Sequence, residues 1–229
     1  GKSLTNLQKI GASPIVNAGG IGSVAAVGTA AFEAAKKAGD FQQQMIRLQA
    51  SAGESGANLK TVSDGILKMA GQVGYSASAL VNGMYTVEKA GYHGADSINV
   101  LTSAAQLANA ENADLGTVIS GLTTTMNDYN IPVSQAADLA SKLNVAVSLA
   151  KTNLQDFTGA LHSVEPVAMT AHVGIDQVYG DLARLTQSGM GPDQASQNMA
   201  QTIRNFMRPN AQMRDALGKL GLSAHELQV

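Results

Sequence analysis

The sequence contains no cysteine and no tryptophan, and aromatic residues make up only 4 % of its 229 positions. The absence of cysteine excludes disulfides and thiolate metal sites. With so few aromatic side chains, the core must be built from small and aliphatic residues, so each residue buries little apolar area. Charge is also sparse: the net charge is −2, and no cluster of Lys and Arg with interleaved aromatics occurs. The charge pattern therefore argues against a general nucleic-acid binder.

The start of the chain has a stretch without any charge, from Ile10 to Phe32. This stretch is long enough to span a bilayer. However, Gly, Ala, Ser and Thr dominate it, and Pro14 and Asn17 lie within it, so its transfer into lipid is only weakly favourable. Membrane insertion of residues 10–32 is kept as an alternative because the length permits it.

The same stretch contains a glycine motif, since residues Gly20 to Ala25 match G-x-G-x-x-A. A dinucleotide site needs a strand before this motif, a helix after it and a second strand that ends in an acidic residue. Here the pattern stays helical through Arg47, and Asp40 falls on that helix. The motif lacks its context, and we predict no nucleotide site.

Small residues recur at every fourth position and form what we call the small-residue row: Ala18, Gly22, Ala26, Ala30, Ala34 and Ala38. Residues at this spacing share one helix face, so the row gives a surface with almost no relief. Glycine lowers helix stability unless close contact offsets the loss. We therefore predict a Gly/Ala-rich leading helix whose row packs against other helices. An Ala-rich surface helix without a partner is the alternative.

The chain after Asn58 reads as a series of amphipathic helices of about 15 residues, close to the usual length. Gly, Asn and Pro mark the turns between them. No segment alternates with the period of a strand. The predicted fold class is all-α, with the leading helix followed by a bundle or solenoid of short amphipathic helical hairpins.

Candidate N-cap residues indicate a weak internal repeat. They form two alternating classes and one further cap: Ser76, Asp114 and Asn153; Asp96, Ser134 and Asp176; and Asp193. The spacing is about 38 to 42 residues, the size of one helical hairpin. Stacked hairpins would bury a continuous core without aromatic bulk. An irregular bundle with coincidental loop lengths is the alternative.

No group of residues predicts chemistry. His162 and Glu165 lie three residues apart, as metal ligands on a helix do, but further ligands are missing and Pro166 perturbs the helix there. A half-solvated polar face is the simpler interpretation. Asp176 and Asp181 are interpreted as a cap and a surface charge, not as an acid–base pair. We predict no catalytic residue, no cofactor and no metal.

A long ordered pattern covers residues 32–207. A Gly/Ala-rich helix leads into AAKKAGDFQQQMIRLQASAG, and then come LKMAGQVGYSASALVNGMYTVEKAGYHGADSINVLTSAAQLANAENADL and AADLASKLNVAVSLAKTNLQDFTGALHSVEPVAMTAHVGIDQVYGDLARLTQSGM. These segments resemble the tail tape measure protein family of long-tailed bacteriophages, and most closely its minor-tail domain. The pattern departs from the family at His172–Gly174, at Met190–Gln194 and at Gln197–Met199.

The resemblance implies a structural, non-enzymatic part of a virion. Such a protein occupies the lumen of the growing tail tube, sets the tube's length and leaves ahead of the DNA at infection. The implied partners are other copies of the chain and the tail tube and tail-tip proteins, with a transient membrane contact at infection and no specific nucleic-acid binding. The implied locations are the tail lumen or tip, and the host cytoplasm during assembly.

We divide the chain into a Gly/Ala-rich packing helix region (1–50), a helical-hairpin domain (51–210) and the start of a following segment (211–229). We expect the chain to be an excerpt from a longer polypeptide. Two alternative functions stay open. One is a helical-repeat scaffold that binds a protein partner, and the other is a membrane-inserting module that acts during infection.

Overall fold

The computed structural model describes the backbone of residues 21–219 and the side chains of residues 36–219. Within that range the chain is helical and contains no strand, which confirms the predicted all-α class. A short 3₁₀ helix spans Val133–Gln135. The α-helices are α1 Ile21–Ala52, α2 Gly56–Ala70, α3 Ala77–Lys89, α4 Gly94–Ala110, α5 Leu115–Asp128, α6 Ala136–Ala150, α7 Leu154–Thr170, α8 Ile175–Gln187, α9 Pro192–Met207 and α10 Ala211–Lys219.

The chain divides into two compact units, residues 1–46 and residues 47–229. In the first unit, the described residues 21–46 form one uninterrupted stretch of helix α1. This continuity confirms the predicted leading helix from Ile21 onward. Asp40 lies in that helix, so the strand that a dinucleotide site needs before its acidic residue is not present there.

The second unit is a stack of helical hairpins in two layers. Helices α2, α4, α6 and α8 follow one another in the first layer, and α3, α5, α7 and α9 follow one another in the second. Consecutive helices also contact each other and close the hairpins. This pattern of next-neighbour contacts is that of an α-solenoid. The helix contacts therefore favour the predicted solenoid over an irregular bundle.

The stack has a regular period along the sequence. Helices of the second layer begin at Ala77, Leu115, Leu154 and Pro192, which are 38, 39 and 38 residues apart. The first layer buries equivalent residues at the same period: Val62, Val100, Leu139 and Val178, and, four positions later, Ile66, Ala104, Leu143 and Leu182. Each helix thus presents one aliphatic stripe to the core between the layers.

The turns from the first layer to the second share a left-handed residue. Gly74, Asn112, Lys151 and Gly189 all have a positive φ and are again 38, 39 and 38 residues apart. At Asn112 and Gly189 the next amide donates to the carbonyl five residues back. This is the Schellman ending of a helix, which satisfies free carbonyls and redirects the chain. The turns therefore set the angle at which each hairpin closes.

Three predicted N-caps are confirmed. The side chains of Ser76, Asp114 and Asn153 accept hydrogen bonds from amides in the first turns of α3, α5 and α7. All three open helices of the second layer, so the sequence signal for that layer is local and strong.

The other four predicted N-caps are wrong. Asp96, Asp176 and Asp193 lie inside the first turns of α4, α8 and α9, and Ser134 lies in the 3₁₀ helix. The N-cap positions of those three α-helices are instead His93, Gly174 and Gly191. An acidic residue in the first turn is favoured by the helix dipole without capping any amide.

Candidate functional site in the helix stack

The second layer is held together by one contact that repeats at every interface. The fifth residue of each helix lies against the seventh residue of the preceding helix in the layer. A Cβ added to Gly83 would stand 2.9 Å from Ile119 Cδ1, and one added to Gly121 would overlap Thr158 Cγ2. At the third interface, the Ser196 hydroxyl donates to the carbonyl of Ala160. Small residues at the seventh position therefore let neighbouring helices approach closely.

The first layer has a corresponding contact of more varied chemistry. A Cβ on Gly65 would stand 2.5 Å from Ile98 Cδ1. Two periods later, Lys142 Nζ lies 2.9 Å from Asp176 Oδ2 and 3.1 Å from Asp138 Oδ2. Hydrogen bonds to these carboxylates raise the pKa of Lys142. Asp176 is therefore an ion-pair partner between helices and not the predicted cap.

A buried carboxylate, Glu88, lies near the end of α3 in the first hairpin. It is the twelfth residue of α3 and is 2 % exposed, and neither of its carboxylate oxygens accepts a hydrogen bond from an amide, hydroxyl or amine of the described residues. Burial, the nearby negative charge of Glu54 and a hydrogen bond from the protonated carboxyl to Glu54 raise its pKa to about 8. An unpaired buried polar group normally lowers stability, so Glu88 calls for an explanation.

Glu54 faces Glu88 from the turn before α2. Glu54 is also buried, but its Oε1 accepts from the Ser55 amide at 2.7 Å and its Oε2 from the Gly94 amide at 2.8 Å. Burial alone would raise the pKa of Glu54, yet hydrogen bonds from the Gly94 amide, the Asn58 side chain and the Ser55 amide lower it below the usual value. His93, which is exposed, brings a ring nitrogen within 4.8 Å of both carboxylates. The three side chains form what we call the Glu54 cluster.

A third buried carboxylate, Glu165, occupies the twelfth position of α7, which is equivalent to that of Glu88 in α3. Its Oε1 accepts from the Thr125 hydroxyl at 2.6 Å. Burial raises its pKa to about 7, and Asp128 adds to that increase. The hydroxyls of Tyr129 and Tyr179 are buried in the same unit without a well-formed hydrogen bond. Burial raises the pKa of Tyr179, the charge of Glu165 raises it further, and the nearby Thr125 side chain opposes the increase.

His162 and Glu165, which the sequence analysis considered as metal ligands and rejected, differ in their surroundings. His162 is exposed, whereas Glu165 is 2 % exposed and bonded to Thr125. The prediction of a half-solvated polar face is therefore wrong for Glu165. Helix α7 continues through Pro166 to Thr170. Asp181 lies half-buried on α8.

Sequence reasoning missed the Glu54 cluster, because Glu54 lies 34 residues before Glu88 and the three members come from a turn, a helix interior and a helix start. One signal could have found Glu88. Once the repeat is aligned, Glu88, Met126 and Glu165 occupy the same position, and Met126 is fully buried. A carboxylate aligned with a core methionine indicates a buried charge.

Most of the predicted small-residue row lies outside the described side chains. Gly22, Ala26, Ala30 and Ala34 fall within the backbone of α1, and Ala18 lies before the described residues. Ala38 is exposed. In the described part of the chain, no helix is both long and apolar enough to cross a membrane.

An apolar groove lies between α6 and α8. Its rim includes Val145 and Leu149, which are 58 % and 55 % exposed, and its floor includes Tyr179 and Ala183. The groove encloses about 330 Å³. Exposed aliphatic side chains on adjacent turns of one helix are typical of a contact surface.

Comparison with known proteins gives two matches. The family model described as phage-related minor tail protein matches residues 63–228. The tape measure protein of Pneumococcus phage Dp-1 is 21 % identical over 191 residues, which are 83 % of this chain and 17 % of that protein. The chain therefore spans less than a fifth of that curated relative's length. No solved structure matches the chain.

Proposed function

Because the chain belongs to the phage-related minor tail protein family, we propose that it is a segment of a tape measure protein. Such a protein sets the length of the tail and is released when the DNA is ejected. The observation that carries the proposal is the match over residues 63–228, which contains nearly the whole helix stack. The name of the Dp-1 relative supports the same assignment. The family membership itself gives a structural role in a phage tail.

The helix stack suits a folded module better than the extended part of a ruler. A continuous helix rises about 1.5 Å per residue, so length is measured most directly by an unbroken rod. Helices α2 to α9 instead reverse direction at each turn and lie beside one another. We therefore assign the length-measuring part to other regions of the whole protein and regard the stack as a module joined to it.

The proposed partners are other copies of the chain and the tail tube and tail-tip proteins. The small-residue row of α1 is proposed as the surface for self-association, because small residues allow close helix contact. The chain acts without catalysis, in the lumen or tip of the virion tail, after assembly in the host cytoplasm. The proposed division is a packing helix region (1–50), the hairpin domain (51–210) and the start of a following segment (211–229).

Mass spectrometry of purified virions tests this assignment. Peptides of the chain should be present in intact tails and lost from tails that have ejected their DNA, whereas tube-protein peptides should be equal in both. Peptides retained at full level in emptied tails would contradict release. Their absence from intact tails would contradict a role in the tail.

An in-frame deletion of residues 115–153, one period of the stack, tests the distinction between module and rod. If these residues lay in the rod, removing them would shorten the tail by about 58 Å, at 1.5 Å per residue. We expect tails of unchanged length in electron micrographs. Deletion of 39 residues from an uninterrupted helical region of the same protein is the matched control and should shorten the tail.

Light scattering on the 1–229 chain tests the small-residue row. Substituting Ala30→Glu and Ala34→Glu places charge on the row, and Ala31→Glu with Ala35→Glu places it one residue away as a control. We expect only the first pair to reduce self-association. Equal behaviour of both pairs, or a wild-type monomer, would remove the row as an association surface. Partition of that monomer into liposomes would support the membrane-inserting alternative.

The groove between α6 and α8 favours a second candidate function, a helical-repeat scaffold that binds a protein partner. Val145 and Leu149 expose aliphatic surface there. If the groove binds a tail protein, Val145→Glu and Leu149→Glu should block that binding and leave the helical circular-dichroism signal unchanged. Wild-type incorporation of the doubly substituted chain into tails would exclude this role.

A further inference from the structure

We propose that Glu54, Glu88 and His93 bind one divalent transition-metal cation, for which Zn²⁺ is the probe of choice. The proposal concerns the Glu54 cluster and does not depend on the function in the tail. It starts from Glu88, whose two buried oxygens accept no hydrogen bond from an amide, hydroxyl or amine and face the Glu54 carboxylate, with which a protonated Glu88 can share a hydrogen bond.

The geometry suits a single small cation. One ligand atom from each of the three side chains can be chosen so that all lie within 4.8 Å of one another. Ligands at about 2.0–2.2 Å from a tetrahedral zinc ion lie roughly 3.3–3.6 Å apart, so side chains at the 4.8 Å limit must close by about 1.2–1.5 Å when the cation binds. Two carboxylate oxygens and one imidazole nitrogen leave a fourth position for water. The mixed oxygen and nitrogen donors favour Zn²⁺ over Mg²⁺ or Ca²⁺.

The surrounding residues fix the orientation of Glu54 and leave His93 accessible to solvent. The amides of Ser55 and Gly94 orient the Glu54 carboxylate, as second-shell groups do in metal sites. His93 occupies the N-cap position of α4, but its side chain caps no amide there. Because His93 is exposed while both carboxylates are buried, a cation can enter from the solvent on the His93 side.

The two neighbouring carboxylates of Glu54 and Glu88 also need a positive charge between them. Two buried carboxylates side by side repel each other unless a proton or a cation lies between them. A proton on Glu88 is the competing occupant. The positions equivalent to Glu88 in the later hairpins do not offer the same ligands. The second hairpin has Met126 there. In the third hairpin the residue is Glu165, which is bonded to Thr125. The site is therefore specific to the first hairpin.

The repeat supplies a well-matched variant. Glu88→Met introduces the residue that the second hairpin buries at the same position, so the variant should fold. His93→Gln changes an exposed residue and keeps its size. Glu165→Gln is the control, because it removes the other buried carboxylate and leaves the Glu54 cluster intact.

The measurement is Zn²⁺ titration of the chelator-treated 1–229 chain against a chromophoric competitor, together with thermal melts. We expect one Zn²⁺ per wild-type and Glu165→Gln chain. At free Zn²⁺ roughly 100 times Kd, the melting temperature should rise by about 5–10 °C. Glu88→Met and His93→Gln should each weaken binding by at least about 10–100-fold, the loss that even second-shell changes cause.

Three results would overturn the proposal. The first is less than one equivalent of Zn²⁺ bound by the wild type at micromolar concentrations, which leaves the proton as the occupant. The second is binding that depends on His93 and is unaffected by Glu88→Met, which indicates an exposed histidine alone. The third is loss of binding in Glu165→Gln, which assigns the metal to another place.

Discussion

Thr158 in α7 occupies the space that a side chain on Gly121 in α5 would need. The same pair of positions brings Ile119 against Gly83 one hairpin earlier. Two successive glycines at the seventh position of their helices are therefore explained by contact with the next helix. Without that contact, glycine inside a helix lowers stability by about 1 kcal/mol relative to alanine.

Gly121→Ala should lower the free energy of unfolding by about 1–3 kcal/mol, the usual penalty of overpacking. The added Cβ overlaps Thr158 Cγ2, so Thr158→Ser, which removes that methyl group, should recover most of the loss in the double variant. Urea unfolding measures all three variants. Equal penalties with Thr158 and with Ser at position 158 would show that the contact is not the cause.

Gly159→Ala provides the matched control and should act in the opposite direction. Gly159 lies inside α7, and a Cβ added there meets no atom within 4 Å. Alanine should therefore raise the free energy of unfolding by about 0.5–1 kcal/mol through helix propensity. A loss of stability at this position would contradict the open space around Gly159.

Lys151→Gly should stabilise the protein by about 0.5–1 kcal/mol. Lys151 ends α6 with φ 54°, a left-handed conformation that costs an ordinary L-residue about 1–2 kcal/mol. Gly74 and Gly189 already occupy the equivalent turns. Thermal melts should show a smaller gain for Asn112→Gly, because asparagine tolerates this conformation. A lower melting temperature for Lys151→Gly would contradict the prediction.

Glu165 should make folding stability depend on pH. Its folded-state pKa of about 7 exceeds the value of about 4.3 expected in the unfolded chain, so the folded state holds its proton over that interval. The stabilisation is complete below the unfolded pKa and is lost as pH rises towards 7, at up to about 1.4 kcal/mol per pH unit. In Glu165→Gln, urea unfolding between pH 4.5 and 7 should show a flatter profile. An unchanged slope would contradict the raised pKa.

Tyr179 should contribute through its ring and hardly at all through its hydroxyl. The ring meets Phe157 edge-to-face with centroids 6.2 Å apart, and the buried hydroxyl lies near the Thr125 side chain without a well-formed hydrogen bond. Tyr179→Phe should therefore change the free energy of unfolding by less than about 0.5 kcal/mol or raise it. Tyr179→Ala should lower it by about 3–5 kcal/mol, as expected for a buried aromatic side chain. A large loss for Tyr179→Phe would reveal a hydrogen bond to the hydroxyl.

The features that the sequence predicted are local ones. Helix periodicity, the caps Ser76, Asp114 and Asn153, and the glycine turns depend on neighbours within one or two turns. The repeat was visible for the same reason, because caps and turns recur in register. The N-cap predictions at Asp96 and Asp193 were wrong because an acidic residue in the first turn and an N-cap residue give similar sequence patterns.

The features that the sequence did not predict depend on contacts between hairpins. Thr125 lies 40 residues before Glu165, and Glu54 lies 40 residues before the Gly94 amide that it accepts from. Nothing in the local pattern marks these carboxylates as buried, because charged residues are normally placed on the exposed face of a helix. Their burial follows only when adjacent hairpins are stacked.

The next-neighbour connectivity of the stack has a mechanical consequence. Each described helix of the two layers contacts mainly helices that are one or two elements away in the chain. A force applied to one end of the stack therefore acts on the terminal hairpin first, while the other hairpins stay folded. The force needed to unfold the stack into an extended chain then depends on the contacts between individual hairpins and not on the number of hairpins. Adding hairpins would enlarge the module without making it harder to pass through a narrow opening.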